Sequence, residues 1–152
     1  MTESLLLGSW QVRAETDRVW LSRRTVELAL WAGATQQVGW EVAIAAAELA
    51  CNAVRYAGGG DVELWLEQVP HIALGLVVRD SGRGFQRPTL EALGAAQGVS
   101  GEAEGTLLRF RSERHGLGIG LEAVHRLMSE VHIDSSPLGT TVRARKALGR
   151  TR

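Results

Sequence analysis

Lysine is almost missing from this 152-residue chain: Lys146 is the single one among seventeen basic residues. A Walker-type phosphate loop needs a lysine straight after its glycines, and a two-lobed kinase needs one on an early strand. Position 146 serves neither purpose, and the preference for arginine otherwise reads as compositional bias. Cysteine is equally scarce. Cys51 stands alone, which excludes an intrachain disulfide and a cysteine-ligated metal cluster. It lies in an apolar helical run and reads as a small packing residue. No apolar run approaches the length of a membrane span. Neither sign of charge is in excess, since seventeen acidic residues balance the seventeen basic ones. That balance gives no electrostatic reason to expect a nucleic acid or an anionic membrane as partner. His71, His115, His125 and His132 are scattered, without the spacing of a metal site. The start MTESLLLGSW has no basic leader and only a short apolar patch, so the expected compartment is the cytoplasm.

What is present reads as one domain over residues 1–152, without repeats or low-complexity segments. Residues 4–13 read as a strand, followed by a helix over 17–33 that Thr16 or Asp17 can cap and Gly33 can end. Its apolar face is expected through Val19, Val26 and Leu30, with Arg23, Arg24 and Glu27 outside. Thr35 can cap a second helix running to about Ala57, where Gly58-Gly59-Gly60 breaks it. Val62, Leu64 and Leu66 alternate with charged residues, as Ile72, Leu74, Leu76 and Val78 do after a connection at Pro70-His71, so a hairpin is expected. Residues 81–117 are glycine-rich and irregular, with a short helical stretch around Leu90–Ala96, and a segment of that length reads as a lid. A third helix over 118–129 and a final hairpin around Pro137-Leu138-Gly139 complete the chain. Clustered rather than alternating elements predict an α+β fold: a mixed, mostly antiparallel sheet with helices on one face. The five tryptophans, Trp10, Trp20, Trp31, Trp40 and Trp65, are expected mainly in core or edge positions, with Trp65 on the polar side of its strand.

The second helix carries a line of polar residues through an otherwise apolar run. Glu41, Glu48, Asn52 and Arg55 are spaced by seven, four and three, which places them on one helical face. Two glycine motifs follow. VVRDSGRGF ends an apolar strand in Asp80-x-Gly82-x-Gly84, and HGLGIGLEAVHRLM puts Gly116, Gly118 and Gly120 where a helix begins. Glycines there let backbone approach a ligand, and the exposed N–H groups of a helix start suit phosphate. The spacing is a poor match to a dinucleotide fingerprint. Either glycine motif alone is a weak signal, whereas both together, downstream of Glu48-x-x-x-Asn52, form a specific one.

In that order the motifs resemble the GHKL superfamily of ATP-binding folds. Glu48 to Asn52 looks like its N box, Asp80 to Gly84 its first glycine box, Gly116 to Gly120 its second, and Gly139-Thr140-Thr141 its terminal signature. Within it, ELACNAVRYAGGG and GLGIGLEAVHRLMSEV are most similar to RsbT-like switch-protein serine kinases and the related anti-sigma factors. The resemblance implies the Bergerat-type ATP-binding sandwich, with ATP and Mg²⁺ as cofactors. It assigns Mg²⁺ to Asn52 and the general base to Glu48. It assigns the adenine amino group to Asp80 with Thr140 in support, room for the base to Gly82 and Gly84, and the phosphates to Gly116, Leu117, Gly118, Ile119 and Gly120. Residues 85–115 are then the ATP lid, longer than in RsbT-like members through GVSGEAEGTLLRF. At its end Arg109, Arg111 and Arg114 read equally as phosphate contacts or as solvated loop arginines. The implied activity is a protein serine/threonine kinase of a bacterial partner-switching pathway. Its implied partners are a STAS-domain antagonist protein and a PP2C-type phosphatase. The alternative is an anti-sigma factor that binds ATP and holds a sigma factor directly. No helix bearing a phospho-accepting histidine is found, which disfavours a histidine autokinase.

Overall fold

The computed structural model describes residues 3–68, 70–84 and 117–149, with the side chains of 117–119 excepted. The expected lid, its short helical stretch, Gly116, and the arginines at 109, 111 and 114 lie outside the described residues. The elements are β1 (Ser4–Val12), α1 (Asp17–Trp31), α2 (Gln36–Ala57), β2 (Gly60–Glu67), β3 (Ala73–Asp80), α3 (Leu117–Leu127), β4 (Glu130–Ser136) and β5 (Gly139–Ala147). The strands form one sheet in the order β1-β2-β3-β5-β4. Every pairing is antiparallel. The fold is therefore α+β as expected, and the sheet is antiparallel throughout the described residues rather than mixed.

Alternation along the strands sends Val62, Leu64, Leu74, Leu76, Val78, Val142 and Ala144 into the core, where they meet Val42, Ala45, Ala46, Leu49, Ala50 and Ala53 of α2. The alanines let α2 lie close to the sheet as its central helix. Thr35 caps its start, accepting a hydrogen bond from the Val38 N–H at 3.2 Å. Gly58, at φ 77°, ends it in the left-handed region that glycine enters without steric cost.

α1 departs from the expected face. Leu21, Thr25 and Ala29 are its buried residues, while Val19 and Leu30 are 54% and 40% exposed. The reason is its fit against α2. Ala29 and Val26 face Gly39 of α2, where a Cβ would stand in ordinary contact at 3.7 Å from the Ala29 methyl and 3.8 Å from Val26 Cγ1. Thr25 is compatible with burial because its hydroxyl donates to the Leu21 carbonyl at 2.8 Å. The start of α1 is held by Asp17, not by Thr16: its Oδ2 accepts from the N–H groups of Arg13 and Ala14, whereas Thr16 makes no side-chain cap. Three tryptophans also depart from expectation, Trp20, Trp31 and Trp40 being exposed, while Trp10 does pack against the core. Trp65 is on the outer face and donates its Nε1–H to Glu63 at 2.8 Å.

Candidate nucleotide site

The polar line on α2 divides once its partners are known. At one end Glu41 is bound to Lys146 at 2.7 Å and accepts from Gln37 at 3.0 Å. At the other, Arg55 bonds Glu15 at 2.6 Å, ahead of α1. Both ends are structural ion pairs. Between them Glu48 makes no hydrogen bond or ion pair among the described residues. Asn52 is only 7% exposed, and its Nδ2 has no partner among them either. A buried amide donor left unpaired costs free energy, so its persistence at this position calls for a ligand-side explanation.

α3 brings the second glycine box to these two residues. A Cβ on Gly120 would lie 2.7 Å from Glu48 Oε2 and 3.6 Å from Asn52 Nδ2. A side chain at 120 would thus displace the Glu48 carboxylate where the first turns of α3 cross α2, and the start of that helix is aimed past this carboxylate and the Asn52 amide. Gly118 and the backbones of Leu117 and Ile119 are in that first turn.

A second cluster forms where β3 ends. Asp80, Thr140 and Ser135 sit in one row across β3, β5 and β4. Asp80 Oδ1 accepts from the N–H of Gly82 at 2.9 Å and of Thr140 at 3.3 Å. Its Oδ2 takes no hydrogen bond from the described residues and is available as an acceptor. Thr140 is buried and its hydroxyl shares a 2.9 Å bond with the Ser135 hydroxyl. Gly82 fits closely over the end of α2, where a Cβ would come within 2.7 Å of the Ala57 methyl. Gly84 sits against the Ser136 carbonyl. The space these two glycines leave is taken by protein neighbours. Burial pushes the Cys51 thiol up, so it is a packing residue and not a thiolate.

Two participants were not singled out from sequence, Ala57 and Ser135. Ser135 was within reach, because a turn at Pro137-Leu138 pairs it directly with Thr140. Beside Asp80, an open cleft of about 300 Å³ is lined by Val12, Arg13, Gly58, Gly59, Asp61 and Arg79 among others. No group of three or more potential metal-ligating His, Cys, Asp or Glu side chains occurs among the described residues.

An open antiparallel sheet, a central helix whose Glu-x-x-x-Asn finds no partner among the described residues, and a glycine-opened helix beside them together make one candidate nucleotide site. The family model described as "Histidine kinase-like ATPase domain" matches residues 12–146, and the chain belongs to that family. Among solved structures, 21 chains match. One is the histidine kinase domain of the blue-light activated histidine kinase from Erythrobacter litoralis EL346, at 18% identity and a TM-score of 0.49. The alignment covers 86% of this chain and 64% of that one, so the chain spans under two thirds of its length. No curated protein matches. No helix among the described residues is long and apolar enough to cross a membrane.

Proposed function

We propose that the chain is an ATP- and Mg²⁺-dependent protein serine/threonine kinase of a bacterial partner-switching pathway, acting on a STAS-domain antagonist protein in the cytoplasm. The observation that carries the reading is the pair of side chains on α2 at the start of α3, Glu48 and the Asn52 amide nitrogen, that find no partner among the described residues. The donor set fits its ligand. Magnesium takes oxygen donors and keeps waters and phosphate oxygens, so one amide oxygen from Asn52 is a sufficient protein contribution. The exposed N–H groups at the start of α3 suit the phosphates. In this reading Asp80 Oδ2 accepts from the adenine amino group, which is supported by Gly82 and Thr140 bonding the other oxygen.

Glu48 then has a specific task. It lies one helical turn from Asn52 and can accept the proton of a serine or threonine hydroxyl. As that proton leaves, the hydroxyl oxygen bonds to the γ-phosphorus and the bond to the ADP oxygen breaks, with positioning supplying much of the rate. Phosphorylation changes which partner the antagonist holds, and a PP2C-type phosphatase is a further partner of the released kinase.

The test incubates the protein with γ-labelled ATP, Mg²⁺ and a STAS-domain protein. Label is expected on a serine or threonine of that protein. It should be lost in Glu48→Gln, and Asn52→Ala should also weaken Mg-ATP binding. Stable association with a sigma factor, with no label transferred to any STAS-domain protein, refutes the kinase and establishes the anti-sigma alternative.

A further inference from the structure

The lone lysine occupies an unusual place. Alternation along β5 points Val142 and Ala144 into the core, and the same alternation puts Lys146 on that helix-covered face. Its side chain is 19% exposed and that of Glu41 is 20% exposed. The ammonium donates to two groups at once: Glu41 Oε2 on α2 at 2.7 Å and the Leu127 carbonyl at 2.6 Å. Leu127 is the last residue of α3, so this carbonyl is one that the helix cannot pair internally, and a cation there also complements the helix dipole. A compact ammonium can meet a carbonyl and a carboxylate at one point, where a planar guanidinium would need both in its own plane.

The spacing of these contacts matters more than either alone. On α2, Glu41 precedes Glu48 by seven residues, and on α3, Gly120 precedes Leu127 by seven. Each interval is two turns, about 10 Å of axial rise. α2 and α3 are thus tied at two levels, Glu48 and Asn52 against Gly120, and Glu41 through Lys146 to Leu127. Among the described residues only the second tie is made by hydrogen bonds within the protein. The first is a close approach between an unpartnered carboxylate and a glycine, which cannot fix its own distance.

We infer that Lys146, with Glu41, is a positioning pair: it sets the axial register of α3 on α2 and thereby holds the glycine-opened start of α3 at the correct distance from Glu48 and Asn52. A slip of one residue along α3 displaces Gly120 by about 1.5 Å. That is enough to bring a neighbouring side chain towards the Glu48 carboxylate. The effect on nucleotide rests on the kinase reading above, whereas the register itself does not.

The experiment therefore has two readouts on Lys146→Met, Glu41→Gln, and the double variant that removes both charges. A control variant, Glu67→Gln, breaks the 2.6 Å Arg145–Glu67 pair on the outer face of the sheet. Hydrogen exchange without nucleotide should show the amides of 121–127 exchanging at least tenfold faster in both single variants and not in the control. Calorimetric titration with Mg-ATP, below any unfolding, should then give a Kd raised at least fivefold in Lys146→Met. It should stay raised in the double variant, even where leaving no unpaired charge restores its melting temperature. Unchanged exchange in Lys146→Met overturns the inference. So does accelerated exchange with a wild-type Kd. If the wild-type protein takes up no Mg-ATP, the kinase reading fails, and the exchange result alone decides the register.

Discussion

Asn52 and Gly120 are two positions at which local stability and the candidate chemistry oppose each other. The buried Asn52 amide has no partner for its nitrogen among the described residues, and removing such a donor relieves an uncompensated desolvation. Asn52→Leu is expected to raise stability by about 1 kcal/mol while abolishing Mg-ATP binding. Gly120→Ala is the complementary case. Alanine is favoured over glycine in a helix by about 1 kcal/mol. The new methyl meets only the mobile end of Glu48, at 2.7 Å from Oε2 in the unshifted position. The variant should melt no lower than wild type, yet displacement of the Glu48 carboxylate should cut phosphoryl transfer at least tenfold. Melting curves and initial rates on the same preparations check both statements. A fall in melting temperature with full activity would show that neither residue is held for a ligand. These residues were legible in the sequence because each breaks its local pattern: an amide in an apolar run, glycines in a helix. Their separation from Glu41 and Arg55 was not. Glu41, Glu48, Asn52 and Arg55 share one face of α2, and only the positions of Lys146 and Glu15 reveal that the outer two are structural.

For the elements, legibility followed how local the determining interactions are. α2 was readable at both ends because its cap and its stop are single residues, Thr35 and Gly58. Thr35→Ala should therefore cost about 1 kcal/mol, measured as a lowered urea midpoint at unchanged slope. The hairpins were readable from alternation and turn residues. α1 was not, because its buried stripe contains Thr25 and Ala29, which carry little hydropathy. Its orientation is set by packing against α2, another element, which no pattern within α1 records. A substitution separates the two accounts. Leu30→Gln, on the stripe that periodicity favours, should change stability by less than about 0.5 kcal/mol. Leu21→Ala, on the stripe that the structure buries, should cost about 3 kcal/mol. Equal costs at the two positions would mean that α1 is turned the other way.

Across the whole molecule, the ionisable groups set a stability profile whose slopes can be assigned. Burial holds the His125 imidazole below its ordinary range, so folding favours its neutral form. Its contribution is complete above the ordinary histidine value and is lost as pH falls below it. Next come the carboxylates. Glu41 is held low by its bonds to Lys146 and Gln37, Glu63 by its bonds to Trp65 and Arg79. The stability they carry is present above the unfolded carboxylate range and disappears as pH drops through their lowered values. Cys51 acts in the other direction, since burial raises its thiol. Unfolding releases a thiol that ionises more readily, so this contribution is intact below the ordinary thiol range and lost as pH rises through the raised value. Urea midpoints taken from acid to alkaline pH should therefore trace a dome with two acid steps and one alkaline step. His125→Gln should flatten the upper acid step, Lys146→Met should reduce the lower one to the share carried by Glu63, and Cys51→Ala should flatten the alkaline limb, each leaving the other two in place. A lower acid step unchanged in Lys146→Met would show that the Glu41 contact contributes nothing to folding, and would leave the C-terminal end of α3 held by its apolar contacts and by the bonds of Ser129 to β5.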